Sequence, residues 1–275
     1  MDDLVSTNWL ADNLGSVVPV DCSWFMPSSG RDAKAEFISS HIAGARFLDI
    51  DEVAAHDENG PPHMLPTAGA FGAAMEKMGI GLDDRIVVYD NSPLRTAARG
   101  WFMLRHFGAA SVAILDGGFE KWTREGRPVE SGEPRPLSAN FPARARSGGV
   151  VTLAEVLAGV GALVDARGKA RFEGTEEDPR PNVASGHIPG ARNVPFASLY
   201  NEDGTFKSEA EVRRIFAEAG VDPEQPFVAT CGSGVTANSL IFAARRLGNR
   251  DTRLYDGSWS EYGADPSTPK AKGPA

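Results

Sequence analysis

At 275 residues the chain is long enough for two domains of ordinary size or one large one. Hydrophobic residues make up 41% and charged ones 24%, the balance of a globular protein, and a net charge of −9 disfavours the nucleic-acid backbone as a partner. No apolar run approaches the ~20 residues that span a bilayer, the N-terminal MDDLVSTNWLADNLG shows no secretion signal, and two cysteines make no disulfide framework, so we expect a cytoplasmic, reduced protein with no membrane and no nucleic acid among its partners.

In chain order, the first half offers β-type runs at SVVPVD (16–21), RIVVYD (85–90) and SVAILD (111–116), with a helical pattern at LRTAARGWFMLRHFG (94–108). The second half offers ALVD (162–165), PFVAT (226–230) and TRLYD (252–256), with a helix predicted over VTANSLIFAARRLG (235–248). The runs are apolar at successive positions, as in strands buried on both faces, so each half is predicted to be an α/β domain around a parallel sheet flanked by helices.

The halves are diverged copies. SHIAGARFLDI (40–50) matches GHIPGARNVPF (186–196), VPVDCSW (18–24) matches ALVDARG (162–168), and LDGGFEKW (115–122) matches YDGSWSEY (255–262). These place His41 opposite His187, Asp21 opposite Asp165 and Asp116 opposite Asp256. A repeat this long is a duplicated domain and not a solenoid unit. Residues 126–149, rich in Pro, Gly, Ser and Arg, have no sustained periodicity. The expected organisation is a domain over 1–130, a linker over 131–149 and a second domain over 150–275.

TCGSGVTANS (230–239) places Cys231 between a strand and a helix, at the carboxyl end of a strand, where ligands of such sheets bind. Glycines let the backbone curl so that N–H groups point inward, and the helix adds the positive end of its dipole. Such a cradle favours a thiolate and can hold an anionic second sulfur attached to it. The alternative is a small buried hydrophobe. The matching strand of the first half ends in Asp90, so one half reads as catalytic and the other as supporting. Cys22 has no glycine cradle and reads as core. His41 and His187 recur in both halves and read as structural.

These motifs (HIAGARFLDID, HMLP, DGGFEKW, DAR before RFEGTEEDPR, GHIPGARN, CGSGVTA and DGSWSEYG) together resemble two-domain sulfurtransferases of the rhodanese superfamily over nearly the whole chain. Within it, the chain is similar to the branch that takes sulfur from 3-mercaptopyruvate. Related phosphatases use Cys-x5-Arg, and here the sixth residue after Cys231 is Ala237. Thiosulfate-preferring relatives carry basic side chains just after the cysteine, where this chain has Gly232 and Ser233.

The resemblance implies a Cys231 persulfide held by Gly232, Gly234, Val235 and Thr236, with pyruvate released and the sulfur passed to cyanide, a small thiol or a thioredoxin-like protein. It also implies that Arg171 and Arg180 bind the substrate's carboxylate and ketone; on charge alone they could equally pair with Glu173, Glu176, Glu177 and Asp178 in a solvated loop. By the same resemblance His63, in PPHMLP, joins Ser233 and Asp51 in a relay, although Asp49 and Glu52 are neighbours of Asp51. A thiosulfate:cyanide sulfurtransferase and a non-enzymatic persulfide carrier are the alternatives. No Cys/His ligand set or nucleotide fingerprint is present, so no metal or organic cofactor is expected.

Overall fold

A computed structural model describes residues 1–55, 57, 60–135 and 137–275. The chain divides into two compact units. The first comprises Met1–Ala54, Leu65–Arg146 and Asn201–Phe206; the second comprises Ala55–Met64, Ser147–Tyr200 and Lys207–Ala275.

In the first unit, strands β1 (Leu4–Val5), β2 (Val18–Asp21), β4 (Arg46–Phe47), β5 (Arg85–Tyr89) and β6 (Ser111–Leu115) form a parallel sheet in the order β1-β6-β5-β2-β4. A short antiparallel pair joins β3 (His41–Ile42) to β7 (Val129–Glu130). The second unit repeats the sheet with β8 (Val150–Val151), β9 (Leu163–Asp165), β10 (Arg192–Asn193), β11 (Val228–Thr230) and β12 (Arg253–Tyr255), in the order β8-β12-β11-β9-β10. Position for position the two orders are the same. The central strands are buried along their length, from Ile86 to Tyr89 and from Val228 to Thr230, because helices cover both faces of a parallel sheet.

Val87, Tyr89, Ala113 and Trp122 centre one core, and Val228, Phe172, Tyr255 and Trp259 the other. The duplicated histidines are structural in the same way. His41 Nδ1 lies 2.7 Å from the Phe37 carbonyl and its ring stacks on Phe37; His187 Nδ1 lies 2.8 Å from the Phe172 carbonyl and stacks on Phe172. Cys22 is fully buried against Gly100, and burial, with the charges of Asp21 and Asp90, pushes its thiol well above the ordinary range.

Part of the stretch that reads as linker belongs to the first unit. Leu82 N donates to the Asn140 carbonyl (3.1 Å), Arg144 N to that of Phe107 (3.0 Å) and Arg146 N to that of His106 (2.8 Å). Phe141 is buried against Phe71. One aromatic anchor and a few backbone bonds hold this strap, so it leaves no periodic signature.

Where β9 ends, Arg167 and Asp165 form a buried ion pair with 2.7 Å between Nη2 and Oδ2. Removing one partner strands the other charge in the core, which costs about 3–5 kcal/mol. Arg167→Ala is therefore expected to destabilise the second unit by that amount in urea titration, with sheet content retained below the transition.

Candidate active site

The site is built at the carboxyl ends of β11 and β12, which are neighbours in the sheet. The chain leaves β11 at Thr230, turns through Cys231 to Thr236 and enters the helix Ala237–Arg246. Gly234 supplies the left-handed step of the turn, at φ +73°. Asn238 Nδ2 donates to the carbonyls of Gly234 (2.7 Å) and Val235 (2.9 Å), holding the turn onto the first turn of the helix. Cys231 is 1% exposed, and Gly232, Ser233, Gly234 and Val235 are buried with it.

The turn after β12 fixes this loop from the side. Trp259 N donates to the Cys231 carbonyl (3.0 Å) and Ser260 N to the Gly232 carbonyl (2.9 Å). Ser258 Oγ accepts from Cys231 N (3.2 Å) and Gly234 N (3.0 Å) while donating to the Tyr255 carbonyl (2.8 Å). Ser258 sits at φ +53°, a left-handed conformation that disfavours any residue with a Cβ by roughly 1–2 kcal/mol. At the matching place the first unit has Gly118, at φ +57°. Among the described residues no protein acceptor serves the amides of Gly232, Ser233, Val235 and Thr236. Buried N–H groups of this kind are ordinarily paired, so the loop is a cradle with donors to spare for an anion.

Two guanidiniums stand over Gly232. A methyl group placed there would lie 3.2 Å from Arg180 Nη2 and 3.4 Å from Arg171 Nη2. Asp178 aligns them: Arg171 Nη2 donates to Oδ2 (2.6 Å), and Arg180 Nη1 and its backbone N donate to Oδ1 (both 3.1 Å). Burial tends to raise the pKa of Asp178, but the hydrogen bond and charge of Arg171, followed by Arg180, outweigh it and hold the carboxyl below its ordinary value. Two cations against one carboxylate leave a net positive charge above the cysteine loop. Among the described residues Arg171 Nε is buried without a hydrogen-bond partner.

His63 belongs to the same unit through the segment Ala55–Met64. Its Nδ1 lies 2.8 Å from Ser233 Oγ, its side chain is buried, and its backbone is left-handed at φ +62°. Strained residues of this kind collect at functional sites. Asp51 belongs to the first unit, on the short helix Ile50–Val53, where Oδ2 accepts from Trp24 Nε1 (2.8 Å).

Cys231, Ser233, His63, Arg171, Arg180 and the loop Gly232–Thr236 thus all belong to the second unit. Sequence reasoning missed Ser258 and Asn238, and offered Asp178 only as one of four possible partners of the arginines. The repeat held a signal for the first: DGG in one copy is DGS in the other, directly beside the cysteine loop.

The rhodanese-like domain family matches the chain twice, over residues 6–125 and 152–265. A Mus musculus 3-mercaptopyruvate sulfurtransferase is 40% identical over 272 residues, covering 94% of this chain and 91% of its own. A Rattus norvegicus thiosulfate sulfurtransferase is 41% identical over 273 residues with the same coverage. SseA from Escherichia coli, a 3-mercaptopyruvate sulfotransferase, superimposes with a TM-score of 0.85 at 35% identity, over 95% of this chain and all of its own.

Replacing Ser258 with alanine leaves two buried loop amides without an acceptor, each worth roughly 1–3 kcal/mol. Ser258→Ala is expected to lower unfolding stability by about 2–6 kcal/mol and to slow alkylation of Cys231 by iodoacetamide or its loading with sulfur. Stability and reactivity equal to the parent would show that the loop holds its shape without Oγ.

Proposed function

Since the chain belongs to the rhodanese-like family, we propose that it takes sulfur from 3-mercaptopyruvate onto Cys231 and passes it to a nucleophilic acceptor. The Cys231 thiolate attacks the substrate sulfur, forming an S–S bond as the C–S bond breaks. The bonding pair goes to carbon, giving the enolate of pyruvate, which takes a proton. The persulfide then sits in the cradle of loop amides. A thiolate acceptor (a small thiol or a thioredoxin-like protein) or cyanide attacks the outer sulfur and returns Cys231 as thiolate.

Overall identity to the mercaptopyruvate and thiosulfate relatives is nearly the same, so identity does not separate the donors. The observation that carries the reading is the pair of guanidiniums aligned by Asp178 over Gly232, in a loop with no basic side chain. Arginine suits planar carboxylate and ketone oxygens beside the reacting sulfur. A basic side chain at 232, of the kind the resemblance gives thiosulfate-preferring relatives, would have to displace those guanidiniums.

With 3-mercaptopyruvate and no acceptor, the intact mass is expected to rise by one sulfur on Cys231, with pyruvate released. Cys231→Ser should do neither, and persulfide at Cys22 would overturn the assignment. Loss of one charge-assisted contact, roughly 1.5–3 kcal/mol, makes Arg171→Ala or Arg180→Ala about 10- to 150-fold poorer in kcat/KM. Equal losses with thiosulfate would mean the arginines maintain the fold and do not read the donor.

Ser233 and His63 give the reading its proton path. Ser233 Oγ, two residues from Cys231, delivers a proton to the enolate and regains it from His63. Thiosulfate leaves as sulfite and needs none. Ser233→Ala and His63→Ala should slow the first step with 3-mercaptopyruvate by roughly 10²- to 10⁴-fold in single turnover, and with thiosulfate much less. Asp51→Asn, tested beside them, reads whether Asp51 shares the role the resemblance assigns it. Parental loading rates in the first two variants would exclude the relay.

A further inference from the structure

In the second unit Arg167 is enclosed by three partners. Nε donates to Asp165 Oδ1 and Oδ2 (3.1 and 3.0 Å), and Nη2 to Asp165 Oδ2 (2.7 Å) and the Gly186 carbonyl (2.8 Å). The guanidinium carbon lies 4.6 Å from the centre of the Trp259 ring. Each partner has its counterpart in the first unit. Asp21 stands for Asp165: its Oδ1 accepts from Ser23 N (2.8 Å) as Asp165 Oδ1 accepts from Arg167 N (2.9 Å). Its carbonyl accepts from Leu48 N as that of Asp165 accepts from Val194 N. Ser40 stands for Gly186, one residue before the duplicated histidine, and Phe119 stands for Trp259. The residue matching Arg167 is Ser23. In place of the guanidinium there is a cavity of about 200 Å³, lined among others by Asp21, Ser23, Phe37, Ser40, Asn91 and Phe119.

We propose that this cavity binds a guanidinium-type cation, brought either by a small molecule or by an arginine side chain. The walls repeat, element by element, the surroundings that hold Arg167: a buried carboxyl that accepts two N–H groups, an adjacent main-chain segment and an aromatic face. Arg31 is held at the cavity wall by two lining residues, Glu36 and the Asn91 carbonyl, and not by Asp21. Arg31 donates through Nε and Nη2 to Glu36 (2.7 and 2.6 Å) and lies 3.7 Å over the Phe25 ring.

Asp21 bears the mark of the missing partner. Burial, reinforced by Asp90, pushes its carboxyl up to about 7 against the pull of Ser23 and Tyr89. The other titratable groups packed around it are Cys22, Tyr89 and Asp90, with Glu36 on the cavity wall already paired to Arg31. A cation must therefore compete with a proton for Asp21, and binding strengthens as pH rises through neutrality.

Calorimetric titration of the full chain with methylguanidinium tests this, with tetramethylammonium at equal ionic strength as a cation without N–H donors. At pH 8 one saturable site per chain is expected, with Kd on the order of 1 mM. At pH 6 it should be about tenfold weaker, following the ionised fraction of an acid near 7. Ser23→Arg, which restores the side chain, and Asp21→Asn, which removes the charge at constant size, should both abolish it. An acetylated Gly-Arg-Gly amide that binds as well identifies an arginine side chain as an occupant; exclusion of the peptide restricts the site to free cations. Equal heats from tetramethylammonium, no saturation, or undiminished binding in Asp21→Asn would overturn the proposal, and the asparagine variant decides if Ser23→Arg does not fold.

Discussion

Two turns tied together set the geometry of the cysteine loop. β11 and β12 lie side by side and parallel, so the turns that follow them leave the sheet at the same end. Four bonds from the second turn reach the carbonyls of Cys231 and Gly232 and the amides of Cys231 and Gly234, with Ser258 serving both amides from a left-handed backbone. The sulfur's surroundings are thus fixed by main chain and by one hydroxyl. Side-chain charge enters separately, from Arg171 and Arg180.

The first unit shows what such a cradle does when the chain supplies the anion itself. Phe119 N donates to the Asp90 carbonyl (2.9 Å), just as Trp259 N donates to that of Cys231 (3.0 Å), so Asp90 takes the cysteine's place. Its carboxylate accepts from Ser92 N (3.0 Å) and from Ala97 N (2.7 Å) at the start of the helix Ala97–His106. Burial raises the pKa of Asp90 while those amides pull it back. The turn there is Gly118, where a side chain would meet the Asp90 carbonyl at 2.5 Å. Counted from Asp90, the place of Gly234 is taken by Pro93, which has no N–H, so a hydroxyl acceptor there has neither room nor its second donor. Cysteine brings a shorter side chain without a fixed charge, so the second unit needs Ser258 and keeps further donors open.

How much of this the sequence could yield depended on the kind of interaction. Buried parallel strands and a buried helix leave runs of apolar residues, and β5, β6, β11 and the helix Ala237–Arg246 were legible from them. Cys231 was legible because strand, glycine turn and helix are contiguous in the chain. Asp178 was not: it is one of four acids near the two arginines, and only the fold decides which carboxylate reaches both guanidiniums. Residues 137–146 read as linker because a strap held through its backbone and one Phe141 has no period to detect. The grouping of the His63 segment with the second unit follows from tertiary contacts, which local pattern does not encode.

The duplication also bears on electrostatics. A buried charge needs a partner, and each copy meets that requirement differently at two equivalent places. At the loop after the central strand, the first unit sets the Asp90 carboxyl against the loop amides, and among the described residues the second has no protein acceptor on the amides of Gly232, Ser233, Val235 and Thr236. At the strand end next to it, the second unit holds its own cation in Arg167, and the first leaves Asp21 in a cavity without one. An internal ion keeps a copy rigid and closed at that place. Leaving it out opens a site whose chemistry is already specified by the surrounding groups, because the walls still fit the missing charge. The cysteine loop and the Asp21 cavity are both places where one copy keeps donors or acceptors that the other copy fills with an ion of its own.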